Sequence, residues 1–226
     1  MALRIDKNTA IPWGRNLDEY RRMFALTSAD LKLSILGCSD GPASFNAQVT
    51  AAGGSVISAD PLYALRPSDI EARVEVARDL VMTDTYASLD DYKWDAIPSP
   101  EELESRRLKA VRDFLDDYEH GGQSRYVCSG LPCLPFEDLS FDLALCSHFL
   151  FLYSEQFGLE FHLAAMEELL RVASEVRVFP LLDLSSRRSE HLEPALRHLR
   201  GTRRTATVEP VDYEFQIGAF EMLRIN

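Results

Sequence analysis

The chain is short of positive charge: 24 Lys and Arg stand against 36 Asp and Glu, a formal net charge of −12. A surface of that sign repels the phosphate backbone that dominates nucleic-acid affinity, so DNA and RNA are poor candidate partners. It also lacks any apolar run approaching the roughly 18 residues of a membrane span, which argues against a membrane partner. Residues 1–13 mix Arg4, Asp6 and Lys7 among apolar side chains and so lack the apolar core of a secretory signal; the expected location is cytoplasmic. The four cysteines (38, 128, 133 and 146) include no C-x-x-C pair and read as reduced core thiols. The five histidines are scattered, and His191 and His198 would lie about 10.5 Å apart along a helix, too far to share one ion. No metal site is expected. Nothing in the sequence bears on oligomeric state.

What is present is an alternation of strand and helix patterns in 226 residues, enough for one core, and the whole chain reads as a single domain. Asn16 with Glu19 forms a capping box that opens a short helix through Tyr20, Met23 and Phe24. A strand over Leu31 to Leu36 runs into Gly37-Cys38-Ser39-Asp40-Gly41-Pro42, and a helix through Phe45 and Val49 stops at Gly53-Gly54. The β-branched run Ser55 to Ala59 then ends at Asp60. This strand-helix-strand unit of about 30 residues implies parallel pairing.

Residues 61–123 differ. Capping boxes at Ser68-x-x-Glu71 and Ser99-Pro100-x-Glu102 predict a helical insertion, with Leu108, Val111, Leu115 and Tyr118 on one stripe and a Gly121-Gly122 stop. Between its helices lies an acidic, aromatic loop from Asp84 to Trp94. An insertion this long commonly covers an active site, so 61–123 is expected to act as a lid. Tyr126 to Cys128, Phe141 to Cys146 and Val176 to Leu182 read as further buried strands, and about Leu159 to Ala173 as a helix. Ser185 to Gly201 reads as a helix with a Pro194 kink, and Thr207 to Ile225 as a hairpin turning at Gln216-Ile217-Gly218.

The chemistry concentrates at strand ends. Gly37, Ser39 and Gly41 form a turn at the tip of the first strand, and Asp60 follows Gly41 by 19 residues at the tip of the second. In a doubly wound sheet both tips open on one crevice, where an acid at this offset accepts hydrogen bonds from a ribose diol; a nucleoside ligand follows. The same turn also fits G-x-S-x-G, a serine-hydrolase elbow with His148 as base, although only 36 residues precede it where that fold needs several strands.

The run Leu134-Pro135-Phe136-Glu137-Asp138-Leu139-Ser140-Phe141-Asp142, followed after four residues by Ser147-His148, resembles the LPF-x-D-x-SFD-x-x-x-x-SH signature of the type 11 group of class I S-adenosylmethionine-dependent methyltransferases. The resemblance extends from Ser34 to the C-terminal hairpin, including Glu168-Leu169-Leu170-Arg171-Val172, and leaves residues 61–123 uncovered. It implies an α/β, Rossmann-like fold: a seven-stranded, mostly parallel sheet of order 3-2-1-4-5-7-6, strand 7 antiparallel, with helices on both faces. It implies S-adenosylmethionine as cofactor and methyl transfer as activity. By position, Gly37, Ser39 and Gly41 match the cofactor turn, Asp60 the ribose acid with Pro61 and Leu62 behind it, and Leu131 the residue at the adenine. Ser147 and His148 face the methyl donor, His148 as candidate base, with Tyr153 and His162 as weaker candidates.

The sequence departs from the pattern at three places: Ile35 and Gly130 replace acids, and Ser39 replaces the middle glycine. The missing acids at Ile35 and Gly130 admit an inactive cofactor-binding partner subunit as an alternative. Asp40 could supply a carboxylate for the methionine ammonium, and Arg15, in Trp13-Gly14-Arg15, a fork for the methionine carboxylate, with Trp13 and Tyr20 closing that side. The acceptor is expected to be a small organic molecule, neutral or cationic given the acidic surface.

Overall fold

The computed structural model describes residues 11–120, 122–202 and 204–226. Most of the segment on which a secretory signal was discounted, and Gly121 of the expected helix stop, lie outside the described residues. Seven strands form one sheet of order β3-β2-β1-β4-β5-β7-β6: β1 (Ser34–Cys38), β2 (Ser55–Ala59), β3 (Tyr126–Val127), β4 (Phe141–Ser147), β5 (Ala173–Phe179), β6 (Ala206–Pro210) and β7 (Glu221–Ile225). The first five run parallel, and β7 is antiparallel to both β5 and β6. This is the order that the sequence resemblance implies. No helix among the described residues is long and apolar enough to cross a membrane.

The apolar runs in the central strands sort onto two faces because successive side chains point to opposite sides of a strand. Ile35, Leu143 and Leu145 face α1 (Leu17–Met23) and α2 (Phe45–Ala51), whereas Leu36, Ala144 and Cys146 face α5 (Leu159–Val172) and α6 (Leu192–Arg200). Cys38 and Cys146 are core thiols as expected, but Cys128 and Cys133 are exposed in the loop after β3, beyond the reach of either core.

The insertion forms two long helices, α3 (Pro67–Ala87) and α4 (Pro100–His120). They are bound to the β3 edge by a third core in which Tyr63, Phe114, Tyr118 and Tyr126 pack ring on ring and Trp13 joins them. The Tyr118 hydroxyl donates to the Tyr63 carbonyl at 2.9 Å, and Arg125 pairs with Asp117 at 2.5 Å.

Local chemistry moves several expected boundaries. α1 carries the Asn16–Glu19 capping box. α3 starts at Pro67 after Arg66, without the Ser68 cap, because proline suits the first helical position; in α4 the Ser99 hydroxyl does accept from the Glu102 amide. Residues 30–32 turn as a 3-10 segment, so β1 begins at Ser34 and extends to Cys38. Asp183 accepts from the amides of Ser185 and Arg187, which holds that stretch as a turn and delays α6 to Leu192; Pro194 then falls in the first turn, where its missing N–H costs nothing. The expected tight hairpin is a wide one. Phe215 and Ile217 pair instead with Lys93 and Asp91 of the insertion, which draws residues 211–220 out into a loop.

Candidate functional site

The turn after β1 owes its shape to three neighbours. A side chain at Gly37 would collide with the Asp40 carboxylate, whose Oδ2 lies 1.8 Å from where a Cβ would stand. Glycine therefore serves here to seat Asp40 rather than to admit a ligand. Ser39 has φ +58° and Gly41 φ +55°, so the residue replacing the middle glycine adopts the left-handed backbone that glycine favours. Asp40 is buried, and it accepts from the Tyr20 hydroxyl and the Ser58 hydroxyl, both at 2.8 Å. Burial nevertheless pushes its carboxyl up to about 6, against the pull of those two bonds.

Asp60, at the tip of β2, accepts from the Gly41 amide at 2.9 Å and the Leu62 amide at 2.7 Å, one on each oxygen. It thus ties the two turns together, and each oxygen keeps a lone pair. Burial raises its carboxyl as well, in part offset by the two amides. Tyr63 clamps the same turn from the insertion by donating to the Gly41 carbonyl at 2.8 Å.

A cavity of about 360 Å³ opens over these groups at the carboxyl ends of β1, β2 and β4. It brings together Arg15, Ser39, Asp40, Gly41, Asp60, Pro61, Leu62, Gly130, Leu131, Ser147 and His148, together with Trp13 and Tyr20. Of the expected cofactor-binding residues Gly37 lies off its wall, beneath Asp40. Several lining groups escaped the sequence reading: Ile11 and Pro12 before Trp13, Arg73 from α3, the stacked pair Phe157 and Phe161, and Phe149 beside them. The aromatic density of residues 149–161 was the available signal for the rings; Arg73 had none.

Arg15 donates to the Trp13 carbonyl at 2.9 Å, but its Nε is buried with no partner among the described residues. Desolvation and the nearby Arg107 charge lower its pKa. An unpaired buried donor of this kind is costly in the free protein and favours an anion in the cavity. Tyr153 closes the same side, its hydroxyl accepting from the Ile11 amide at 2.9 Å.

His148 has φ +52°, a strained backbone that places its ring at the cavity wall. Its Nδ1 lies 2.9 Å from the Ser147 hydroxyl. Burial, and then the charges of Arg15 and Arg107, hold the imidazole well below the usual histidine range, so it stands neutral. Ser147, not Ser39, is the hydroxyl paired with this ring, and the hydrolase reading gains no support. His162 lies away from the cavity, with its two ring nitrogens against the carbonyls of Gly158 and Leu150. Among the described residues no group of three or more His, Cys, Asp or Glu is placed to hold a metal ion.

No protein-family model matches the chain. It is 32% identical over 214 residues, 94% of each chain, to the uncharacterized protein MJ0045 of Methanocaldococcus jannaschii. Among solved structures it resembles the magnesium protoporphyrin IX methyltransferase of Synechocystis PCC 6803 with bound SAM, at a TM-score of 0.46 and 12% identity over 92% of this chain and 89% of that one. It also resembles a SAM-dependent methyltransferase of Aquifex aeolicus, at a TM-score of 0.43 and 14% identity over 92% of each.

Proposed function

This chain belongs to the same family as MJ0045 of Methanocaldococcus jannaschii, and we propose that it is an S-adenosylmethionine-dependent methyltransferase acting on a small organic acceptor. One observation carries the reading: two carboxylates, buried Asp40 and half-buried Asp60, and one guanidinium with an unpartnered Nε, Arg15, line a single cavity at the tips of parallel strands. A nucleoside joined to a zwitterionic amino acid matches that set group for group.

In this reading Asp60 offers its two remaining lone pairs to the ribose diol, and Gly130 and Leu131 flank the base. Asp40 receives the ammonium. It supplies the carboxylate that Ile35 cannot, since that side chain is buried in the core. Arg15 takes the carboxylate, held in place by its bond to the Trp13 carbonyl, while Trp13 and Tyr153 keep water from that end. When bound, S-adenosylmethionine supplies a methyl group on a sulfonium, released as the C–S electron pair returns to sulfur. The chain's own contribution is orientation, worth about 7 to 11 kcal/mol of barrier when two reactants are well aligned. His148, neutral and fixed by Ser147, positions the acceptor by a hydrogen bond at the wall.

Titration calorimetry tests this reading. Stoichiometric binding of S-adenosylhomocysteine, with no heat from NAD, is expected. A folded protein that binds neither S-adenosylmethionine nor S-adenosylhomocysteine would refute it.

A further inference from the structure

A second cavity, of about 270 Å³, lies on the other side of Trp13, Arg15, His148 and Tyr153, which line both. Its walls come from parts of the chain far apart in sequence: Val81 and Thr85 of α3, Leu103 and Arg107 of α4, Phe179 at the end of β5, and Tyr213 and Phe215 of the β6–β7 loop. The walls are mostly rings and aliphatic side chains. Tyr92 stacks on Phe215 at 4.9 Å, and the pair is fixed by the Lys93 amide donating to the Phe215 carbonyl at 2.8 Å.

The charged groups on the lining are few: Arg15, Arg107 and Asp84. Arg107 is 1% exposed, and its Nη1 donates to both oxygens of buried Glu19, at 2.6 and 2.5 Å. Tyr213 donates to the same carboxylate at 3.0 Å. Yet the Arg107 Nε, like that of Arg15, is buried with no partner among the described residues. With Glu19 behind Arg107, two guanidiniums and one carboxylate leave the inner wall positive; the acid on the lining itself, Asp84, is exposed to water. An aromatic chamber with an unmet cationic donor is built for a flat molecule carrying an anionic oxygen.

We propose that this second cavity holds the methyl acceptor, and that the acceptor is a ring-bearing organic acid whose anionic oxygen is received by Arg107 and Arg15; this rests on the methyl-transfer function proposed above. His148 stands in the shared wall. Burial, reinforced by the charges of Arg15 and Arg107, keeps its ring neutral and makes it a weak proton acceptor, and the same charges stabilise an acceptor that arrives already ionised. An acceptor carrying an oxyanion forms its O–C bond to the methyl carbon as the C–S pair returns to sulfur. The anion and the sulfonium are then both discharged, with no proton to remove. The acidic outer surface pointed to a neutral or cationic acceptor; the chamber wall points the other way.

Calorimetry on protein saturated with S-adenosylhomocysteine decides between them, with naphthoate, its neutral amide and naphthylmethylammonium as probes. The first titration, of S-adenosylhomocysteine alone, reports on the cofactor reading independently of the probes. Naphthoate is expected to bind roughly tenfold to a hundredfold tighter than the amide, and the ammonium weakest. Val81→Glu, a partly exposed position on the chamber wall, is expected to abolish that preference, as is the charge-neutral pair Glu19→Gln with Arg107→Met. Equal binding of acid and amide by the wild type, tighter binding of the ammonium, or an acid preference that survives in folded Val81→Glu would each overturn the proposal.

Discussion

The two cavities share a wall that holds Arg15, and they surround it differently. The first sets it against two carboxylates, Asp40 and Asp60, at the tips of the strands; the second sets it beside a further guanidinium, Arg107, beneath the insertion. The first is built by the α/β core, from turns whose positions are set by strand register. The second is assembled from α3, α4 and the β6–β7 loop around that core. In the proposed reading the α/β core presents the cofactor, while the segments packed around it set the charge of whatever meets it.

Four measurements bear on this contrast. The Arg107–Glu19 pair is the most demanding part of the second wall, since burial alone would raise Glu19, and the Arg107 charge and hydrogen bond lead the attractions that hold it below the usual carboxylate range. Arg107→Met strands that carboxylate and should cost about 3–5 kcal/mol, lowering Tm by about 10 °C. Adding Glu19→Gln should restore most of the loss; thermal denaturation that shows no recovery would dissolve the pair as a unit.

Asp60→Ala acts on the first cavity. It should weaken S-adenosylhomocysteine binding by about 1.5–3 kcal/mol for each charge-assisted bond lost, with a further cost of about 0.5–2 kcal/mol in stability for the two amides left uncapped. Calorimetry showing wild-type affinity in a folded variant would remove Asp60 from the site.

The third concerns pH. The Asp40 carboxyl holds its proton up to about 6 when folded, whereas a free aspartate releases it near about 3.9. Between those values the folded chain binds more protons than the unfolded one, so this group's contribution to stability falls as pH rises through that window and is steady above it. An ammonium ligand that needs the ionised form should bind roughly tenfold more weakly for each pH unit below about 6 and evenly above. Asp40→Asn should flatten that profile, and a wild-type affinity that is flat from the outset would take the ammonium away from Asp40.

The smallest effect distinguishes fork from point charge at Arg15. Arg15→Ala should lose roughly tenfold or more in affinity for S-adenosylmethionine and Arg15→Lys somewhat less. Retention of wild-type affinity by both would mean that Arg15 holds no ligand carboxylate.

The first cavity was legible in the sequence and the second was not, for a physical reason. Gly37, Asp40, Gly41 and Asp60 follow one another through a local strand-helix-strand unit, so short-range spacing carries their geometry. Arg107, Glu19 and Tyr213 meet only after α1, α4 and the β6–β7 loop have packed. One sign was nevertheless present. Arg107 falls on the stripe formed by Leu103, Ala110, Phe114 and Tyr118, the buried face of α4, and a charged residue at such a position needs a partner. Likewise Glu19 was readable only as a capping partner, a role it fills while also pairing with Arg107. The wide β6–β7 loop was hidden because its backbone partners, Asp91 and Lys93, lie more than a hundred residues earlier in the chain.

The collision that a side chain at residue 37 would have with Asp40 sets an order on how this turn can change by descent. Any variant that gains a side chain at 37 while keeping aspartate at 40 passes through a form with a displaced carboxylate, whereas loss of Asp40 first leaves space for the second change. The two positions are therefore sterically coupled, with a preferred order of replacement. A lineage that has lost Asp40 is free to place its acid elsewhere along β1, and a lineage that keeps it is bound to glycine at 37.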